Sequence, residues 1–286
     1  MSPHPRGGIK MKHIEFDWQT KDGLRLYAQG WHPGSEPRAL VCLVHGLGEH
    51  SGRYQHVAAR LNRAGYVLLA FDQRGHGKSE GERGYAPGFD VLTEDIAHFV
   101  EKSTGRYPKH PCFLYGHSLG GSLVIEYALR RRPQLAGVIA TAPALRTAFA
   151  PPAWKVVLGK IMYRLWPTLS MSNEIDTQTL SRDPDVVSAY ENDPLVHDRL
   201  TPRLGIDLLQ SGEWALQHAS EFPLPLLLMH GSADRLTSAQ ASSEFAAKAG
   251  EACTLKIWDG LYHEVHNEPE KEDVLAYLLG WLDHRS

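Results

Sequence analysis

Short apolar runs alternate along the chain with longer stretches whose apolar positions recur three and four residues apart. That alternation predicts strands and helices in turn. The strand-like runs cover residues 14–18, 25–31, 40–45, 67–72, 112–116, 137–141, 225–230 and 254–258. Helical stretches cover 53–64, 91–104, 118–131, 239–249 and 271–284. Lys21-Asp22-Gly23 is a turn signal, so the first two strands should form an antiparallel hairpin at a sheet edge. The remaining order predicts a mostly parallel sheet with helices on both faces.

The alternation breaks between Leu145 and Ile206, where Pro151-Pro152, an aromatic- and Met-bearing stretch over 154–171 and a polar stretch over 172–185 contain no convincing strand. An insertion after the C-terminal end of the sixth strand lies where such sheets carry their active sites, so it should cap the pocket. The expected division is core 1–144, cap 145–206 and core 207–286. Within the insertion, Trp154, Val157, Leu158, Ile161 and Leu165 recur at helical spacing among basic residues. They predict a helix that packs on the core, touches a bilayer interface, or does both.

Composition narrows the class. A formal charge of −3 over 286 residues gives no electrostatic reason to expect nucleic acid. Cys42, Cys112 and Cys253 each lie in an apolar run and suit buried thiols in a reducing compartment. Neither the cysteines nor the scattered histidines have metal-ligand spacing. Residues 1–8 lack an apolar leader region, and no apolar run is long enough to span a bilayer. The expected protein is cytoplasmic, with peripheral membrane contact through the cap as an added option. An exposed apolar cap could also pair two copies, so monomer and homodimer both stay open.

The chemistry concentrates at Gly116-His117-Ser118-Leu119-Gly120, between a strand and a helix. A serine hydroxyl is a weak nucleophile and must project from a sharp turn toward a histidine base and backbone donors; small flanking residues let strand and helix close on each other. The element order with this elbow is that of an α/β-hydrolase, in which the acid and then the histidine follow the serine. Asp234 and His263 sit on the loops after the last two strands and fill those positions. His266 is a rival base and Asp259 a rival acid. His45, His76, His117 and His230 are expected to be packed loop histidines. The backbone N–H groups of Leu47 and Leu119 are nominated for the oxyanion hole.

With these residues placed, the chain resembles the monoacylglycerol lipases of the serine-hydrolase type, a group that grades into lysophospholipase-like hydrolases. The resemblance is carried by His45-Gly-Leu-Gly-Glu-His-Ser-Gly-Arg-Tyr54, by the segment from Phe71 to Arg83, by Gly116-His-Ser-Leu-Gly-Gly121, by Gly231-Ser-Ala-Asp-Arg235, and by Tyr262-His-Glu-Val-His-Asn-Glu-Pro269. The cap stretches Leu180-Ser-Arg-Asp-Pro and Tyr190-Glu-Asn-Asp-Pro-Leu195 add to it. It implies hydrolysis of one fatty acyl ester from glycerol without a cofactor, with Glu49, Arg53, His266 and Tyr190 at the glycerol hydroxyls. A Glu49–Arg53 ion pair at helical spacing is the plainer alternative for those two. A lysophospholipase or broad short-chain esterase remains the alternative function. An epoxide hydrolase or dehalogenase would need a carboxylate where Ser118 stands. A non-catalytic binding member of the fold would not need the three-residue set. Because the base works as neutral imidazole, activity should fall as pH drops through about 6 to 7.

Overall fold

The computed structural model describes residues 12–286; the expectation about a leader region falls outside them. Eight strands form one sheet in the order β1-β2-β4-β3-β5-β6-β9-β10. They are β1 (Lys12–Gln19), β2 (Arg25–His32), β3 (Ala39–Val44), β4 (Tyr66–Phe71), β5 (Cys112–His117), β6 (Gly137–Thr141), β9 (Leu226–Gly231) and β10 (Cys253–Trp258). The first two pair antiparallel around a turn in which Gly23 takes a φ of 89°, and β2 also pairs antiparallel with β4. All other neighbours in the sheet are parallel.

The parallel strands β3, β4, β5, β6 and β9 are buried along their whole length. Their apolar side chains feed two cores, one on each face. Helices α2 (Phe89–Arg106), α3 (Leu119–Arg131), α6 (Pro202–Gln217) and α7 (Ala239–Ala249) contribute to one core. The other receives α1 (Gln55–Arg63) and α8 (Lys271–Asp283). Cys42 and Cys112 are buried with their sulfurs 3.9 Å apart, and Cys253 is half-buried.

Between β6 and β9 lie α4 (Ala153–Leu165), α5 (Pro184–Glu191), α6 and a two-strand ribbon of β7 (Met171–Ser172) and β8 (Arg199–Leu200). The ribbon corrects the expectation that this stretch holds no strand. At two residues per strand, it is too short to leave a periodic signature. Helix α6 crosses residue 206, so the expected boundary falls inside a helix. Polar contacts lace the segment to the rest of the chain: the Glu264 N–H donates to Leu180 O at 2.8 Å, the His197 N–H to Gly48 O at 2.9 Å, and His50 Nε2 lies 2.8 Å from Asp193 Oδ2. Helix α4 differs from its neighbours, because none of its residues is buried.

Candidate active site

Ser118 closes β5 and opens α3 with φ 54° and ψ −117°, a conformation that costs energy for a residue with a Cβ. The glycines around it explain how the chain tolerates the turn. A Cβ on Gly116 would come within 2.2 Å of Gly120 O, and one on Gly120 within 2.1 Å of Val44 O. Strand, elbow and helix therefore pack backbone to backbone. The Ser118 N–H donates to Thr141 O at 3.0 Å, tying the elbow to β6.

The side chain of Ser118 meets residues carried by the two last strands. Its Oγ lies 2.9 Å from His263 Nε2, and His263 Nδ1 lies 2.8 Å from Asp234 Oδ2. The other carboxylate oxygen of Asp234 accepts the Leu236 and Thr237 N–H groups at 2.7 and 3.1 Å. Burial alone would raise the Asp234 pKa. The charge of His263 and hydrogen bonds from His230 and His263 outweigh it and hold the carboxyl well below the ordinary range. Burial opposes charge on His263, yet the adjacent Asp234 carboxylate raises its pKa above the ordinary 6.5. The rival acid Asp259 is exposed and instead accepts from Ser232 Oγ at 3.1 Å, in the turn before His263.

The Leu119 N–H is the first of α3, among the helix-start amides that have no partner within their own helix. Leu47 lies on the loop after β3. That loop runs against the elbow so closely that a Cβ on Gly46 would stand 3.2 Å from Ser118 Cβ. The cleft between these elements has a volume of about 30 Å³ and is bounded by Leu47, Ile175, Leu180, Tyr190, Leu236 and Glu264, among others. A cavity of about 860 Å³ lies elsewhere, beside α3 and α6, and offers Arg130, Arg203, Asp207 and Trp214 but none of the three residues joined at Ser118.

The four residues nominated for the glycerol end divide. Glu49 and Tyr190 border the cleft. Arg53 donates to Glu49 Oε2 at 2.7 Å and to both oxygens of Glu264 at 2.7 and 2.8 Å, and its guanidinium lies 4.7 Å from the Tyr190 ring centre. The i,i+4 pair with Glu49 is thus present, but as one arm of a larger buried network. Glu49 is fully engaged, since its Oε1 also accepts from the Gly46 N–H at 2.6 Å and from the Tyr54 hydroxyl at 2.8 Å. His266 sits in a short 3-10 turn that directs its ring inward, stacked on Tyr54 at 4.9 Å and edge-on to His117 at 4.8 Å. It is 1% exposed and off the cleft wall; burial pushes its pKa down to about 3. The network's third member, Glu264, was missed. The available signal was a second acidic residue next to His263. Burial would raise the Glu264 pKa, but the Arg53 charge and hydrogen bonds carry it below the ordinary range.

This sheet, with its elbow and the following loops, defines an α/β-hydrolase. The chain belongs to the serine aminopeptidase S33 family, which matches residues 35–270. A monoacylglycerol lipase of Mycolicibacterium smegmatis is 36% identical over 276 residues, covering 96% of this chain and 98% of the relative. An uncharacterized abhydrolase domain-containing protein of Dictyostelium discoideum is 38% identical over 93% of this chain, which spans only 28% of that protein's length. The crystal structure of Paleococcus ferrophilus monoacylglycerol lipase superposes with a TM-score of 0.81 at 35% identity, covering 97% of this chain and all of the other.

Proposed function

We propose that this protein is a serine carboxylic-ester hydrolase that releases a fatty acid from monoacylglycerol through an acyl-enzyme. The observation that carries the chemistry is the line from Ser118 Oγ through His263 to Asp234 on a strained elbow. His263 takes the Ser118 proton as Oγ attacks the ester carbon. The N–H groups of Leu47 and Leu119 receive the developing oxyanion. His263 then protonates the departing glycerol oxygen, and the tetrahedral species collapses to the acyl-enzyme. Water, deprotonated by the same ring, attacks the acyl carbon and frees the fatty acid and Ser118.

The substrate class rests on the monoacylglycerol lipases among the relatives and on the charge around Arg53. Its guanidinium is engaged by two carboxylates, leaving no unpaired cation there for a phosphate. A neutral glycerol, with hydroxyls that both donate and accept, suits that wall better than a phosphorylated head group. Ligand pockets usually run to about 300–1,000 Å³, so the cleft must widen between Leu180, Tyr190 and Leu236 before an acyl chain enters.

The surface that would meet the lipid is the outer face of α4, where Trp154, Val157 and Leu165 are 64%, 57% and 77% exposed. Phe149 and Trp166 extend this apolar face. An apolar surface with interspersed lysines suits transient contact with a lipid surface. No helix among the described residues is long and apolar enough to cross a membrane.

Fatty acid release from monoacylglycerols and matched lysophosphatidylcholines, over a series of chain lengths, tests the reading. Preference for the glycerol esters, with release lost in Ser118→Ala, is expected. Equal or faster turnover of the phospholipids would keep the serine chemistry and overturn the head-group argument.

A further inference from the structure

A second imidazole reaches the carboxylate of Asp234. His230, near the end of β9, is fully buried. Its Nε2 lies 3.0 Å from Asp234 Oδ2 and 3.2 Å from Thr237 O, while its Nδ1 lies 2.8 Å from Ser242 Oγ on α7. Nε2 faces a carboxylate and a carbonyl, which only accept, and the Thr237 hydroxyl at 3.2 Å, whose single proton is directed to Asp234 Oδ2 at 2.8 Å. Nδ1 faces a hydroxyl that can donate. The neutral ring therefore carries its proton on Nε2, aimed at Asp234. Oδ2 is the same oxygen that accepts from His263, and the Thr237 hydroxyl approaches it as well, at 2.8 Å.

We propose that His230 is a positioning residue for the ester hydrolysis, its Nε2–H sharing Asp234 Oδ2 with His263 so that it fixes the carboxylate and moderates the charge that His263 feels. The inference rests on the serine-hydrolase reading above. It follows from the way donors act on an anion: each hydrogen bond received stabilises the carboxylate and weakens its pull on a neighbouring proton. With His230 in place, Asp234 is held without overstabilising the imidazolium. Without it, the oxygen turns more freely and places more charge on His263, which then titrates at higher pH. The groups facing this pair are few. Asp234 meets His230, His263, Thr237 and the Leu236 N–H; His263 meets Asp234, Ser118, the Thr237 hydroxyl at 3.3 Å and the His117 ring at 4.9 Å, with Glu264 and Glu49 as further charges.

The experiment compares two amides of different reach on the intact chain. In His230→Gln the side-chain nitrogen can extend to the position of Nε2 and keep a donor on Asp234. In His230→Asn it reaches only as far as Nδ1 and loses the carboxylate. Rates are expressed per active site titrated with a fluorophosphonate, so a misfolded fraction does not enter them. His230→Asn should move the acid limb of kcat/KM upward by about half a pH unit or more. Its kcat should fall on the order of ten-fold with little change in KM, well short of the ~10⁴-fold loss when a triad acid itself is disabled. His230→Gln should restore the limb and most of the rate. Wild-type kcat and limb in His230→Asn, or equal impairment in both variants, would overturn the proposal. Retained turnover in Ser118→Ala would instead overturn the mechanism on which it rests.

Discussion

Arg53→Met is the most informative perturbation behind the cleft wall, because it keeps an unbranched apolar stem and removes the guanidinium, with its charge and its hydrogen bonds to Glu49 and Glu264. In the native protein the guanidinium lies between Glu49 and Glu264, whose side chains are 3% and 2% exposed. The variant leaves two carboxylates facing each other out of water. Removing one partner of a buried pair costs about 3–5 kcal/mol. Unfolding entropy for a chain of 286 residues is roughly 0.6 kcal/mol/K. The loss at pH 7 therefore corresponds to a melting temperature lowered by about 5–8 °C. The pH dependence separates this cause from ordinary packing loss. Native Glu264 has a depressed pKa, so its contribution is present above the ordinary glutamate value of 4.5 and fades as pH falls through the lower folded value. In the variant, burial and repulsion raise the folded values instead, and the variant should gain stability on acidification from pH 8 toward 5. Calorimetric melting of both proteins across that range checks the argument. A variant melting within 2 °C of native at pH 7, with an unchanged pH slope, would refute it.

The acid limb of kcat/KM should lie above the ordinary imidazole value of 6.5, because Asp234 outweighs burial and raises the His263 value. The base is active when neutral, so activity should fall as pH drops through that raised value; a profile flat down to pH 5 would remove His263 from the role. Replacing Trp154 and Leu165 by Asp should weaken partition into phosphatidylcholine vesicles by more than ten-fold in a flotation assay, since each buried apolar side chain contributes about 1.5–3 kcal/mol. Unchanged partition would mean that α4 does not meet the lipid.

The sheet was legible because its central strands are buried on both faces and therefore appear in the sequence as uninterrupted apolar runs. The expected limits of β6 and α7 coincide with those in the structure, and the run at 225–230 is displaced by one residue from β9. The segment between β6 and β9 was harder. Its α5 is eight residues long and its ribbon strands two each, so neither carries enough repeats to define a period, and α6 was not separated from its surroundings. At the site, the sequence nominates His263 over its rival His266 by its place first off the loop, and His263 is the one that faces Ser118. The 3-10 turn at Val265–Asn267 carries His266 away from it and onto Tyr54. The partner of Arg53 at Glu264 lies 211 residues away, so spacing gave no sign of the pair; only its place beside His263 marked Glu264 as a residue of the site. His230 is packed, as expected of it, but its packing partner is the acid of the site.

Strands β6 and β9 are neighbours in the sheet although more than eighty residues lie between them, and just beyond β6 the Ala142 N–H donates to Met229 O at 2.8 Å. The intervening segment therefore leaves and re-enters the sheet through adjacent slots, like a cassette held at both ends by one frame. Helix α6 packs into the core beside α3, but the stretch from Arg146 to Arg199 adds no side chain to either core, so that stretch is the exchangeable part, and the register that sets Ser118 against His263 belongs to β5, β6, β9 and β10. Grafting the corresponding segment of another member of the family onto this frame is thus a route to new acyl-chain preferences with the bond-breaking apparatus left intact.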